Sequence, residues 1–120
     1  MTVSKRRQAW QFGRTAEFFA VLLLVSKGYK ILARRYKTPV GEIDLVARRG
    51  RMLCFIEVKG RRNNSEEIPV TSRQMNRIGR ASLLFVQSRA GLKDDDMRFD
   101  IVLVRPWRFP RHLIDAWRPG

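Results

Sequence analysis

Two carboxylates and a lysine lie close together along the chain, in a spacing that could hold a divalent cation. Asp44 belongs to the segment G-E-I-D-L, and Glu57 and Lys59 belong to F-I-E-V-K-G-R shortly after it. Carboxylate oxygens, water and phosphate oxygens are the ligands that Mg²⁺ prefers. A lysine beside such an ion could stabilise negative charge, or lose its proton and act as a base. These residue types therefore predict a cation site suited to chemistry at a phosphate group.

A β-hairpin would bring these residues onto one surface. Alternating side chains on both sides of Gly50 predict two strands, and glycine suits the first central position of a type II′ turn. In that register Asp44 faces Glu57, and Glu42 faces Lys59. Like charges opposed on a sheet cost up to about 1 kcal/mol, and a bound cation would offset this cost.

The opposite surface of the same hairpin is apolar and must be buried. Its predicted members are Ile43, Leu45, Ala47, Cys54, Ile56 and Val58. Charged residues on the outer face of a hairpin are often simply solvated, and this alternative stays open. Two acids and a lysine on one face of a basic chain nevertheless favour the functional interpretation.

Length and charge limit the class of protein. With 120 residues, of which 44% are hydrophobic, the chain is expected to form one domain, residues 1–120. Lysine and arginine total 25 against 11 acidic residues, which gives a net charge of +14. This excess favours a polyanionic partner, although solubility is an alternative reason. No basic amphipathic helix argues for a membrane partner, and residues 1–12 are expected to be a mobile basic arm.

Cysteine content and hydropathy favour a reducing, cytoplasmic location. The chain has a single cysteine, Cys54, so neither a disulfide framework nor a cysteine–histidine metal cluster is expected. The apolar run at residues 18–25 is too short to cross a bilayer and precedes no cleavage pattern. Secretion is therefore not expected.

Two helices are expected to flank the hairpin. Helical spacing predicts the first over residues 15–27, with Gly28 as its stop signal and Glu17 as its only acid. Glu17 would lie either in an exposed first turn or opposite a cation, and both alternatives stay open. The second helix is predicted over residues 72–89, where Thr71 and Gln74 have the spacing of a capping box.

Other segments are expected to complete a sheet. Further strands are predicted over residues 29–36, 97–104 and 112–117. Arg98 and Asp100 are expected to pair along one strand, and His112 is expected to be structural. Residues 60–67 form a polar loop that is a candidate lid, and the acidic run at residues 94–96 is expected to cap or solubilise.

The order of these elements resembles that of the PD-(D/E)XK nuclease superfamily, with an acid on the second strand and E-x-K on the third. More narrowly, G-E-I-D-L, F-I-E-V-K-G-R, the R-F-D strand and the helical A-E-F-F-A resemble the YraN-like family of small bacterial proteins, over residues 13–117. The resemblance implies a restriction-endonuclease-like α/β fold of three layers, with helices flanking a mixed sheet of about four to five strands. It also implies a phosphodiesterase site dependent on Mg²⁺ or Mn²⁺, similar to that of archaeal Holliday-junction resolvases.

The resemblance assigns roles to individual residues. Asp44 and Glu57 would hold the metal, and Lys59 would position or activate the attacking water. Glu17 would add a carboxylate from the first helix, and Glu42 is an accessory candidate.

Two residues depart from the pattern of the superfamily. Ile43 stands where the name of the superfamily has proline, and Gln74 stands where the family often has lysine. Gln74 is therefore either an accessory contact of the site or only the capping partner of Thr71.

Three functions are compatible with these observations. The first is a metal-dependent nuclease that hydrolyses phosphodiester bonds in DNA, including branched or structured DNA. The second is a nucleic-acid-binding module with a catalytically silent nuclease-like site, and the third is a protein-interaction scaffold. Endonucleolytic or exonucleolytic action, the number of ions and a homodimer stay open. In the first two functions, arginines would contact phosphates, namely Arg61, Arg62, Arg73, Arg77 and Arg80.

Overall fold

The computed structural model describes residues 3–60 and 70–119, with side chains from residue 14 onward. Two long helices, one short 3₁₀ turn and five strands make up this part of the chain. Their bounds are α1 Val3–Ser26, β1 Lys30–Thr38, β2 Gly41–Arg49, β3 Met52–Gly60, α2 Ser72–Gln87, the 3₁₀ turn Ala90–Leu92, β4 Asp96–Val104 and β5 Arg111–Trp117.

The five strands form one mixed sheet in the order β1-β2-β3-β4-β5. Only β3 and β4 are parallel, and the other neighbours are antiparallel. A parallel pair needs a long crossover connection, and α2 lies within this one. Helix α1 packs on one face of the sheet and α2 on the other. The predicted three-layer α/β fold with a mixed sheet, consistent with a restriction-endonuclease-like core, is confirmed.

Both faces of the sheet are buried, because successive residues of β3 are apolar in both directions. The core on the α1 side contains Ala16, Ala20, Leu24, Tyr29, Leu45, Ala47, Cys54, Ile56, Val102 and Val104. The core on the α2 side contains Ile43, Val46, Leu53, Phe55, Val70, Ile78, Ala81, Phe85, Leu92, Phe99, Ile101, Leu103 and Trp117. Strands buried on both faces explain the nearly continuous apolar runs of the sequence.

The predicted register of the β2–β3 hairpin is confirmed. Gly50 has φ +61°, the left-handed value that its turn position requires. The two strands pair from Arg49 opposite Met52 to Leu45 opposite Ile56, as the turn chemistry implies. Glycine at the turn and the two-residue alternation were therefore sufficient to predict this register.

The predicted apolar face of the hairpin is wrong at Ile43. This side chain packs in the α2-side core with Val46, whereas Leu45 packs in the α1-side core. Strand β2 therefore exchanges its faces at Asp44. The neighbouring strand changes with it, because Arg35 has φ +51° at the corresponding place on β1.

Helix bounds differ from the prediction mainly at the start of α1. The helix begins at Val3 rather than at residue 15, so its backbone continues into the segment expected to be a basic arm. It ends in a Schellman motif, in which the N–H of Tyr29 donates to the carbonyl of Leu24 at 3.0 Å and Gly28 has φ +89°. No helix in residues 3–60 or 70–119 combines the length and apolarity needed to cross a membrane.

Candidate metal and phosphate site

The backbone N–H of Val58 donates a hydrogen bond of 2.8 Å to Oδ2 of Asp44, just beyond the last β2–β3 pair, Leu45 opposite Ile56. The carboxylate of Asp44 thus takes the place that a backbone carbonyl would have in a continuing ladder. It therefore lies between the two strands, near the plane of the sheet.

The exchange of faces in β2 gives this position its physical cause. Ile43 and Leu45 pack in opposite cores, so the side chain of Asp44, between them, does not belong to either face of the sheet. As a result, Asp44 borders open space on both sides of the sheet, and so does Glu42.

On the α2 side the open space is a cleft of about 450 Å³, called here the acidic cleft. It brings together acids from β2, an acid and a lysine from β3, and two polar residues from α2. The lining residues are Glu42, Asp44, Glu57, Val58, Lys59, Gln74, Arg77 and Ile78.

Glu57 is the electrostatically perturbed member of the acidic cleft. Burial raises the pKa of its carboxyl group, and a hydrogen bond with Asp44 and the negative charge of Asp44 raise it further, to about 9. Lys59 acts in the opposite direction but does not cancel these effects. The raised pKa favours the protonated form of Glu57, and a cation in the acidic cleft could take the place of that proton.

Glu17 lies on the other side of the sheet, where Asp44 and Glu42 border a second cleft. Its carboxylate accepts hydrogen bonds from Nε of Arg34 at 3.1 Å and from Nε of Arg35 at 2.9 Å. Because α1 begins at Val3, the first-turn alternative for Glu17 is wrong, and its carboxylate faces two cations. The positive φ of Arg35 interrupts the alternation that would separate consecutive side chains of a strand.

The acidic cleft contains oxygen ligands of the kind that a magnesium ion needs. Asp44 and Glu57 are two converging carboxyl groups, and Mg²⁺ commonly takes one or two carboxylates together with water and phosphate oxygens. Within the described part of the chain, no three His, Cys, Asp or Glu side chains converge as a metal cluster. The pair fits the ion, while the role of Glu17 as a third carboxylate stays a prediction.

Gly41 helps to shape the acidic cleft, a role that the sequence analysis did not predict. A Cβ atom at this position would lie 2.6 Å from the carbonyl oxygen of Arg77 on α2. The absence of a side chain therefore lets α2 pack directly against the start of β2, which places Arg77 and Gln74 at the acidic cleft. A glycine directly before the acidic G-E-I-D-L segment was the available signal, and contact with α2 could not be inferred from it.

Gln74 has the capping role that was predicted for it. Its Oε1 accepts from the N–H of Thr71 at 3.1 Å, and the hydroxyl of Thr71 accepts from the N–H of Gln74 at 3.2 Å. The side chain of Gln74 makes these capping hydrogen bonds and also borders the acidic cleft.

The fold places the arginines predicted to contact phosphates in different locations. Arg73, Arg77 and Arg80 are all exposed on α2, but only Arg77 borders the acidic cleft. Arg80 borders a different pocket. Arg61 and Arg62 lie outside the described residues. The same is true of the rest of the candidate lid, residues 63–67.

A second charged cluster is centred on Asp100, which is fully buried on β4. Arg98 donates to both of its carboxylate oxygens at 2.9 Å, as predicted, and Nε2 of His112 lies 2.7 Å from Oδ2. The N–H of Asp115 donates to Oδ1 at 2.9 Å. Burial works to raise the pKa of Asp100, but these hydrogen bonds outweigh it and lower the pKa. His112 thus lies in a structural ion cluster, as expected.

The acidic run of residues 94–96 is also structural in part. The carboxylate of Asp95 receives two hydrogen bonds from Arg48, at 2.6 and 3.0 Å. This pair ties the loop before β4 to the end of β2, so Asp95 forms an ion pair and does not have the expected capping or solubilising role.

The layers and strand order described above define an α/β protein with a restriction-endonuclease-like core, in which an acidic cleft opens where β2 and β3 stop pairing. A family model matches residues 16–104, and the chain belongs to the Uncharacterised protein family UPF0102. The predicted resemblance to the YraN-like family is confirmed at this level. The wider nuclease superfamily stays a prediction.

Relatives cover nearly the whole chain. A UPF0102 protein of Parvibaculum lavamentivorans is 50% identical over 112 residues, which is 92% of this chain and 84% of the relative. A UPF0102 protein of Maricaulis maris is 48% identical over 116 residues, with 96% and 91% covered. One from Caulobacter vibrioides is 44% identical over 115 residues, with 95% and 92% covered.

Proposed function

We propose that this chain is a nuclease of the PD-(D/E)XK type, which hydrolyses phosphodiester bonds in DNA with Mg²⁺ or Mn²⁺. The single observation that carries the proposal is the convergence of Asp44 and Glu57 on one cleft, at the point where their strands stop pairing. Such a pair is unfavourable by itself, because one member must hold a proton to relieve the repulsion. A cation bound between the two groups would make the arrangement favourable.

The residues of the cleft suit hydrolysis of a phosphodiester. The N–H of Val58 holds the carboxylate of Asp44 in a defined position at the cleft that Glu57 also lines. When bound, a divalent ion supplies charge neutralisation at the phosphate and lowers the pKa of an attacking water. Lys59 would either keep its proton and stabilise the charge that develops, or act as the base. Arg77, from the opposite wall, would orient a phosphate group.

Positive charge around the two clefts supports a polyanionic substrate. Arg35 and Lys37 border the Glu17 side, and Lys59 and Arg77 border the α2 side. Together with the net charge of +14, they would raise the local concentration of a phosphate backbone. A reducing, cytoplasmic location agrees with the buried, unpaired Cys54, whose pKa burial raises to about 12.

A cleavage assay tests the proposal. Duplex, single-stranded and four-way-junction DNA would be incubated with wild-type protein and Mg²⁺ or Mn²⁺, beside Asp44→Asn and the matched control Asp94→Asn. Both variants remove one acid, but Asp94 is exposed and away from the cleft. We expect wild type and Asp94→Asn to cut at least one substrate and Asp44→Asn to lose at least about a hundredfold in rate, as removal of a metal ligand should produce. Salt-sensitive binding without cleavage by wild type would exclude the enzyme.

A binding module with a silent site is the second candidate, and one observation favours it. Both carboxylate oxygens of Glu17 already accept hydrogen bonds from arginines, so the carboxylate is neutralised without a metal. Calorimetric titration with Mn²⁺ separates the two candidates. Binding that Asp44→Asn abolishes favours the nuclease, and absence of binding to wild type favours the module.

A further inference from the structure

Two aromatic side chains of the loop between β4 and β5 are almost completely exposed. This aromatic loop, residues 105–110, has the sequence R-P-W-R-F-P. Trp107 is 101% exposed and Phe109 is 95% exposed. Large apolar groups that are presented to water together are a recognised mark of an interaction surface.

The backbone of the loop holds these side chains outward. Trp107 has φ +63°, a left-handed conformation that is uncommon and unfavourable for a bulky residue. Pro106 and Pro110 bracket the aromatic pair and restrict the backbone on both sides. The exposed position of Trp107 is thus part of a restrained loop conformation.

Helix α1 provides a wall opposite the loop. Phe19, Leu22 and Leu23 face it across an open groove of about 730 Å³. Phe19 is 42% exposed and Leu22 is 50% exposed, so this side of the helix is not covered by the rest of the chain that the structure describes. A flat apolar group could enter between the helix and the loop.

Charge identifies the kind of partner. Arg105 and Arg108 alternate with the aromatic residues, Arg111 follows them, and the chain has no acid between Asp100 and Asp115. Aromatic faces interleaved with cations are the pattern by which proteins bind single-stranded nucleic acid, since bases stack on the rings and phosphates meet the cations.

A second copy of the chain is a poorer occupant of this surface. Two-fold association through the loop would bring the same arginines of each copy close together, and each copy carries a net charge of +14. Like charges brought together in this way oppose association. A polyanion has the complementary charge.

The aromatic loop begins beside the proposed active site. In the parallel pairing of β3 and β4, Lys59 lies beside Leu103 and Gly60 lies beside Val104. The loop therefore leaves the sheet at the same end as the acidic cleft, and its groove against α1 lies on the opposite face of the sheet. Trp107 is three residues beyond Val104, so it lies at most about 11 Å along the chain from that end.

We propose that the aromatic loop is a stacking platform for unpaired bases, so that the preferred substrate has a single-stranded segment next to the bond at the acidic cleft. Bases would stack on Trp107 and Phe109, and the neighbouring phosphates would meet Arg105, Arg108 and Arg111. The inference rests on the proposed function for the nature of the polyanion, and it does not depend on turnover. Because every base has an aromatic face, this recognition is for unpaired structure and not for sequence.

Binding measured without metal tests the platform. Fluorescence anisotropy in EDTA would compare labelled oligothymidylate with a blunt duplex of equal length, for wild type, Trp107→Ala, Trp107→Phe and Phe109→Ala. Leu83→Ala is the matched control, because Leu83 is an apolar residue on α2 that is 56% exposed. We expect Trp107→Ala to weaken binding to the single strand by about tenfold, and the duplex by less than about twofold. Trp107→Phe should keep most of the affinity, and Leu83→Ala should change neither substrate.

Several outcomes would overturn the inference. One is an unchanged single-strand affinity in Trp107→Ala, and another is an equal loss on duplex. A third is sedimentation showing a wild-type dimer that Trp107→Ala converts to monomer without a change in DNA affinity. A fourth is Trp107-dependent binding to phosphatidylglycerol vesicles but not to oligothymidylate.

Failure of the proposed function gives a different result. If wild type binds single strands through Trp107 but cuts no substrate, the platform stands and the nuclease does not. If wild type and Trp107→Ala bind and cut single-stranded and duplex DNA equally, the nuclease stands and the platform does not.

Discussion

Asp44 and Val58 are joined by a hydrogen bond of 2.8 Å from a backbone N–H to a carboxylate, at the point where the β2–β3 ladder ends. The same carboxyl group lines the acidic cleft together with Glu57. Asp44 thus has two separable roles, because its oxygen continues the sheet and its charge would contribute to the proposed cation site. Substitutions that keep one role and remove the other can distinguish them.

Asp44→Asn and Asp44→Ala should therefore differ in stability but not in metal binding. Asparagine keeps an oxygen for the N–H of Val58, so we expect a change of less than about 0.5 kcal/mol in the free energy of unfolding. Alanine loses the acceptor and should cost about 1–2 kcal/mol. Urea denaturation gives the stabilities, and Mn²⁺ titration should show weakened binding in both. Wild-type Mn²⁺ affinity in Asp44→Asn would show that this charge holds no metal.

Glu57→Gln should stabilise the metal-free protein at alkaline pH. With its pKa raised to about 9, Glu57 keeps a proton in the folded state that the unfolded chain releases above its ordinary pKa of 4.5. The stability of wild type should therefore fall as pH rises between these values. At about pH 8 the variant should be more stable than wild type by ~1–3 kcal/mol, with little difference near pH 5.

Thermal denaturation in EDTA measures this effect. Asp94→Asn is the control, because it also removes one acid but Asp94 is exposed and lies away from the cleft. A Glu57→Gln variant that is less stable than wild type at about pH 8 would contradict the proposed repulsion.

Gln74→Ala should reduce stability without abolishing activity. The side chain caps the backbone of Thr71, and loss of a capping interaction costs about 0.5–2 kcal/mol. Chemical denaturation beside Gln87→Ala, an exposed glutamine at the other end of α2, measures the cost. If Gln74→Ala instead lost cleavage at unchanged stability, the side chain would belong to the catalytic machinery.

Gly41→Ala should destabilise the protein through a steric conflict with α2. The added Cβ would lie 2.6 Å from the carbonyl oxygen of Arg77, and a backbone atom can move away only if the helix shifts. We expect a loss of ~1–3 kcal/mol, as is usual for overpacking. Gly91→Ala is the matched control, since its added Cβ would meet nothing within 4 Å. Equal stabilities of the two variants, read by urea denaturation, would be inconsistent with this contact.

Asp100→Asn should remove part of the resistance of the protein to acid. Burial opposes the charge of Asp100, but hydrogen bonds with His112 and Arg98 lower its pKa below the ordinary value of 3.8. A lowered pKa gives stability that is present above the unfolded pKa and is lost as pH falls below about 4. The variant should lose ~3–5 kcal/mol at neutral pH, because Arg98 keeps a largely buried charge without its partner.

Acid titration followed by circular dichroism tests that prediction. Asp115→Asn removes a half-exposed acid from the neighbouring strand β5 and should behave like wild type. Wild-type acid stability in Asp100→Asn would show that the buried cluster does not contribute as described.

Local chemistry made much of the fold predictable. Gly50 and the alternation around it were enough for the register of β2 and β3, because a hairpin turn and the pleat of a strand are determined within a few residues. The capping box of Thr71 and Gln74 is equally local. That register ends at Leu45 opposite Ile56, so it does not by itself account for the gathering of Asp44, Glu57 and Lys59 at one cleft.

Long-range contacts escaped the sequence analysis. The exchange of faces at Asp44 depends on which cores receive Ile43 and Leu45, and strict alternation cannot express it. The pairing of Glu17 with two consecutive arginines depends on the positive φ of Arg35. The strand sequence contains no local signal for this backbone conformation.

The sequence by itself determined the strand pairing and the acids available for a cation, because periodicity and turn geometry act over short distances along the chain. Tertiary structure decided which of those acids meet. It placed Asp44 between the strands, paired Glu17 with two arginines and packed α2 against Gly41. It also left Trp107 exposed near the end of the sheet where β3 and β4 stop. These outcomes depend on how separate layers pack, and packing depends on the shapes of all the surfaces in contact.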